Sequence, residues 1–173
     1  MATGSYSFAI GGATTPDGSA SNLAPAMSRV KSSGSAPGAY FMQLAFDAGQ
    51  TEWACWTFRM PANYASAPVA KIQFKMASAT SGNVVWDVRV AAVTPGDSTD
   101  VDAKVFGSAN TATQAVGGTA GYMTEASVTL TNADSVAAGD WVTIYVARAG
   151  ADGSDTATGD AELCGLAITY TTT

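Results

Sequence analysis

Apolar and polar residues alternate with period two along most of the chain, in short runs separated by clusters of Gly, Pro, Asp, Asn and Ser. Residues 69–77 are the clearest run. Ala70, Ile72, Phe74 and Met76 fall on one side, and Lys71, Gln73 and Lys75 on the other. A strand with one wet face writes this pattern, whereas a helix would spread the lysines around its axis. Residues 83–93 repeat it, with Val84, Trp86, Val88 and Val90 against Asp87 and Arg89. The turn-forming segment 78–83 between them predicts a β-hairpin.

The same reading gives strands over 40–46, 52–60, 125–131, 141–148 and 161–170, and a short alternating run at Tyr6, Phe8 and Ile10. In residues 52–60, Ala54, Trp56, Phe58 and Met60 alternate with Trp53, Cys55, Thr57 and Arg59, so the two tryptophans point to opposite faces. Pro61 ends that strand because proline cannot donate to a ladder. No segment carries an apolar stripe at helical spacing. About eight strands, with turn signals roughly every 8–15 residues, predict an all-β fold: an antiparallel β-sandwich or jelly roll.

Two stretches break the alternation. Residues 11–38 are rich in Ser, Gly, Ala and Pro, and residues 97–123 are polar with few apolar anchors. The predicted organisation is therefore an N-terminal arm and loop over 1–38, followed by one sandwich domain over 39–173. Tyr6, Phe8 and Ile10 admit two readings. They are an interface triplet that adds as a strand to a neighbour's sheet edge, or they are the first strand of the chain's own sandwich.

Composition narrows the chemistry. The chain has 173 residues, of which 47% are hydrophobic but only 13% charged, with a net charge of −6. Eight scattered basic residues give no electrostatic footprint for nucleic acid. The absence of histidine removes Ser-His-Asp and Cys-His nucleophiles and His-ligated zinc. The chain is expected to be no enzyme and to need no cofactor. No apolar run approaches a membrane span, and the first residues do not read as a secretory signal, so a soluble protein made in a cytoplasm is expected. Cys55 and Cys164 follow no metal spacing and are expected as two buried thiols.

The candidate metal site is the acidic turn holding Asp152, Asp155 and Asp160, where carboxylates interleave with Gly and hydroxyl residues. Its spacing is not that of an EF-hand, and a solvated turn explains it better, so no metal is expected. A second acidic loop, Asp97, Asp100 and Asp102, has the residue types of a glycosidase carboxylate pair but nothing that sets them across a cleft. Trp53, Trp56, Trp86 and Trp141 all fall in strands. Trp56 and Trp86 lie on core faces, which argues for packing over a sugar-stacking platform.

Three passages carry a resemblance to a known family. They are residues 56–64, WTFRMPANY; residues 71–88, KIQFKM running through SGNVVWDV; and residues 138–170, from AGDW through VAR and GDAELCG to Tyr170. Together they resemble small all-β virion proteins of tailed bacteriophages, particularly jelly-roll capsid decoration (cement) proteins. That resemblance implies a structural protein on the outer surface of the capsid. It would bridge major capsid subunits as a homotrimer, with an N-terminal arm reaching a neighbour. The alternative is a carbohydrate-binding tail-fibre or tail-spike module for host attachment.

Overall fold

Ten strands, among the described residues 2–173 of the computed structural model, form two antiparallel sheets packed face to face. In chain order they are β1 (Thr3–Phe8), β2 (Ala26–Lys31), β3 (Tyr40–Phe46), β4 (Thr51–Arg59) and β5 (Tyr64–Met76). The rest are β6 (Asn83–Val93), β7 (Asn110–Ala115), β8 (Thr124–Thr129), β9 (Trp141–Ala149) and β10 (Ala161–Thr172). The first sheet runs β2-β3-β10-β5-β8, with β1 also on β10; the second runs β4-β9-β6-β7. Strand β10 is the spine of the first sheet. One of its edges is shared by β3, at Ala161 to Leu163, and β1, at Leu166 to Thr171.

Between the sheets lies the core that the alternation predicts. Trp56 and Trp86 are buried, with Trp86 held edge-on by Phe46 and Phe74 at 5.5 and 5.3 Å. Leu44, Ile72, Ile144, Leu163 and Val128 complete the packing with no solvent contact. Burial of such side chains stabilises by about 1.5–3 kcal/mol each before the entropy of ordering is counted.

Three expectations are corrected. Strands β5 and β6 do not form a hairpin: β5 belongs to the first sheet and β6 to the second, so the segment between them crosses the sandwich. Gly82, at φ +95°, makes that crossing, and a Cβ there would lie 2.9 Å from the Thr156–Ala157 backbone. The described part of the predicted arm, residues 2–38, does not stand outside the sandwich, because β1 pairs with β10 and β2 pairs with β3 of the same chain. The segment between β1 and β2 lies along the outer edge of β4: Thr14 exchanges backbone hydrogen bonds with Cys55 at 2.8 and 2.9 Å, and Leu23 accepts from Trp53 at 3.1 Å. It blunts an edge that would otherwise invite pairing. Finally, the polar stretch 97–123 contains β7, a strand of small and polar residues.

Candidate functional site

Alternation along β9 places Val142, Ile144, Val146 and Arg148 toward the core and Trp141, Thr143, Tyr145 and Ala147 outward. Arg148 is therefore a guanidinium inside a sandwich, and it is fully buried. Its donors reach Asp155 Oδ1 and Oδ2 at 2.8 and 3.1 Å, and the carbonyls of Phe46, Ala157 and Gly159 at 3.2, 2.6 and 2.7 Å. Every N–H of the guanidinium group is thus used. Asp155 Oδ2 also accepts the Val85 N–H at 3.0 Å.

This arrangement divides the three carboxylates of the acidic turn. Asp155 is the buried counter-ion of Arg148. Asp152 folds its own loop by accepting the Ser154 N–H at 2.8 Å, and Asp160 uses its main-chain carbonyl to hold Ala77. Neither a solvated turn nor a metal loop describes Asp155. Among the described residues no cluster of three His, Cys, Asp or Glu side chains is placed to hold a metal ion. In the second acidic loop, Asp100 caps a short 3₁₀ turn by accepting the Asp102 N–H at 3.0 Å, and the loop is exposed.

Tyr6, Phe8 and Ile10 fold back on their own chain. Tyr6 and Phe8 each lie 4.9 Å from the Phe58 ring, and Ile10 is buried in the core. Trp56 Nε1 donates to the Ala9 carbonyl at 3.0 Å, fixing the segment from the other side. One backbone edge of β1 is taken by β10, and its aromatic side chains pack on the chain's own Phe58.

The outward face of the second sheet carries a cluster of aromatic residues. Trp53 and Phe106 pack against Tyr145 at 5.2 and 5.5 Å, with the Arg89 guanidinium 5.3 Å above the same ring. Arg89 is held in turn by Asp87 at 2.7 Å. The members of this cluster pack on one another. Cys55 lies on this face and Cys164 on the first sheet. Both thiols are free and half-buried rather than fully buried, and burial pushes both above the ordinary thiol range.

The outward face of the first sheet differs in chemistry and shape. Across strands β1, β10, β5 and β8 it presents Ser7, Ala167, Lys71 and Ser127 in one row, and Gly165, Gln73 and Glu125 in the next. Strand β10 contributes Gly165 and Ala167 beside Gln73 and Lys71 of β5, so the middle of the sheet is a depression of about 420 Å³. Its walls are Lys71, Gln73, Glu125, Ser7 and Thr169. Gln73 Oε1 lies 2.6 Å from where a Cβ on Gly165 would sit, so the glycine leaves room for the Gln73 amide to lie across the floor. The wall groups order one another: Gln73 donates to Glu125 at 3.2 Å, and Lys71 donates to Ser127 at 2.8 Å and lies 3.5 Å from Glu125. One row further along, Lys75 pairs with Glu162, whose second oxygen accepts the Gln43 amide at 2.7 Å. The buried Gln43 carbonyl has no partner of its own.

These residues can offer donors and acceptors to a hydroxyl-rich ligand lying over a floor of small side chains. Sequence reading passed over this site. The available signal was the pair Gly165 and Ala167 in a strand whose outward neighbours are Lys71 and Gln73, and it needed the strand order to be seen.

No protein-family model matches the chain, and no curated protein matches it in sequence. Solved structures do match in shape. The N-terminal CBM22-1–GH10 modules of Clostridium thermocellum endo-1,4-β-D-xylanase 10B, complexed with xylohexaose, align over 98% of this chain at 13% identity with a TM-score of 0.53. This chain spans 28% of that one. The carbohydrate-binding module CBM6cm-2 of Cellvibrio mixtus lichenase 5A, in complex with cellotriose, covers 96% of this chain and 97% of its own at 12% identity, with a TM-score of 0.47. The CBM22-1 xylan-binding domain of Paenibacillus barcinonensis Xyn10C covers 95% and 90% at 15% identity, with a TM-score of 0.45. At such identities the likeness is one of architecture: the chain has the jelly-roll β-sandwich fold that carbohydrate-binding modules also have.

Proposed function

We propose that the protein is a non-catalytic glycan-binding module whose binding face is the outward surface of the first sheet around Gly165. The observation that carries this reading is the depression itself. Its floor carries only small residues, Gly165 and Ala167, and its walls include hydrogen-bonding groups that hold one another in position. Sugar hydroxyls are matched by such planar amide and carboxylate groups, and preordered walls lose little side-chain entropy on binding. The fold adds support, since solved structures of this architecture include glycan-binding modules. The lining offers no outward aromatic ring for stacking, so the expected affinity is modest and rests on hydrogen bonds.

A place on a phage tail fibre or tail spike is the finer form of this reading, and only the sequence resemblance supports it. In a homotrimer, three such faces would bind a repeating host glycan with avidity. The capsid-cement reading likewise rests on the sequence resemblance alone, and the free arm that the resemblance implies is, at residues 3–8, a strand of the chain's own sheet.

The test is titration calorimetry against a panel of soluble polysaccharides and their oligosaccharides. Binding by the wild type is expected for at least one neutral glycan, with a loss of about tenfold or more in affinity in the double variant Gln73→Ala, Glu125→Ala, which removes two hydrogen-bonding groups. Binding unchanged in that variant, or none to any glycan, contradicts the proposal.

A further inference from the structure

We propose that Lys75 and Glu162 become joined by an amide bond between Lys75 Nζ and Glu162 Cδ, a covalent crosslink at the centre of the first sheet. The residues are direct partners across β5 and β10, so both side chains rise from one face of adjacent strands. Lys75 Nζ lies against Glu162 Oε2, and the side chains are only 19% and 15% exposed. From the other side, buried Gln43 donates its amide to Glu162 Oε1 at 2.7 Å. The two carboxylate oxygens therefore have different partners. One faces an amine, and the other faces an N–H able to stabilise negative charge as the carboxyl carbon becomes tetrahedral.

The other ion pairs lack this combination. Lys71 and Glu125 are 3.5 Å apart and more open to water, with side chains 35% and 44% exposed. Arg89 and Arg148, the cations of two further pairs, are guanidinium groups, which stay protonated and do not act as nucleophiles. In the Lys104–Asp134 pair, the oxygen facing the lysine also accepts the Ala92 N–H.

The step balances without any other reactant. The Lys75 ammonium passes a proton to Glu162 Oε2, giving a neutral amine beside a neutral carboxylic acid. Nζ attacks Cδ and forms the C–N bond, a second proton moves from nitrogen to Oε2, and the C–Oε2 bond breaks to release one water. Holding the groups together supplies an effective concentration on the order of 10⁵ M or more, which opposes hydrolysis. A neutral amide also replaces two charges held partly out of water. The crosslink would tie β5 to β10 beside the depression, one row from Gln73 and Gly165.

Mass spectrometry of the unfolded, purified full chain tests this. A mass lower than the sequence mass by one water, about 18 Da, is expected. Trypsin should then leave Lys75 uncleaved in a branched peptide with Glu162. The variant Lys75→Arg should show its full calculated mass. The wild-type peptide map decides even if that variant folds poorly. The sequence mass, with Lys75 and Glu162 in separate unmodified peptides, would overturn the proposal. So would a loss of ammonia, about 17 Da, mapped to Gln43.

Discussion

Arg148 and Asp155 meet as a bidentate ion pair, 2.8 Å from Nη2 to Oδ1 and 3.1 Å from Nε to Oδ2, with both side chains sealed from solvent. The pair fastens the turn between β9 and β10 to both sheets, because the same guanidinium also holds the carbonyls of Phe46 and Ala157. Removing Asp155 alone leaves a buried cation without a counter-charge. Asp155→Ala should destabilise the fold by about 3–5 kcal/mol, read as a fall in the urea midpoint. Calcium and chelator should leave the wild-type melting temperature unchanged. A calcium-dependent melt would mean that the acidic turn binds the ion after all.

Glu52 lies directly across from Arg148 on β4 and is almost fully buried. Burial pushes its carboxyl above the usual range, with Asp47 and Asp160 adding to the shift, while the Asp47 N–H and Arg148 oppose it. A raised pKa means that ionised Glu52 disfavours the folded state. Its cost is absent at pH values below the ordinary glutamate range, and grows as the pH rises toward the folded-state value. Glu52→Gln, which keeps an acceptor for the Asp47 N–H, should therefore gain stability relative to the wild type between about pH 4 and pH 7. Paired thermal melts across that range check it. A difference that shrinks as pH rises would reverse the sign assigned here.

Strand β1 supplies one edge of β10 and packs Tyr6 and Phe8 on Phe58. Deleting residues 1–12 should lower the stability of the isolated chain by more than about 3 kcal/mol, because it removes buried Ile10 and uncovers an aromatic cluster. An unchanged melting temperature would return the segment to the role of a free arm.

Period-two alternation made the all-β class legible, and it separated Trp56 from Trp53 correctly because one face of each strand is core. Alternation says in or out, but not which sheet. The β5–β6 crossing therefore reads as a hairpin until the strands are placed. Strands β2 and β7 escaped because each pairs on one side only and buries few side chains, so neither carries an apolar face. Asp155 escaped for a different reason. An aspartate among Gly, Ser and Thr looks solvated, and the clue lay in β9, where Arg148 falls on the same face as Val142, Ile144 and Val146. A buried guanidinium requires an anion. The depression at Gly165 depends on small residues of β10 lying beside long side chains of β5 and β8, information that no single run of residues contains.

The most direct test of the glycan-binding account is a backbone amide NMR titration of the full chain with whichever neutral oligosaccharide binds in the panel. The account expects shifts confined to the first sheet, centred on Gly165 and including Ser7, Lys71, Gln73, Glu125 and Thr169. Shifts centred on Trp53, Tyr145 and Trp141 of the opposite sheet would contradict it, and so would shifts along the groove formed by Tyr64, Pro68, Leu130 and Val136.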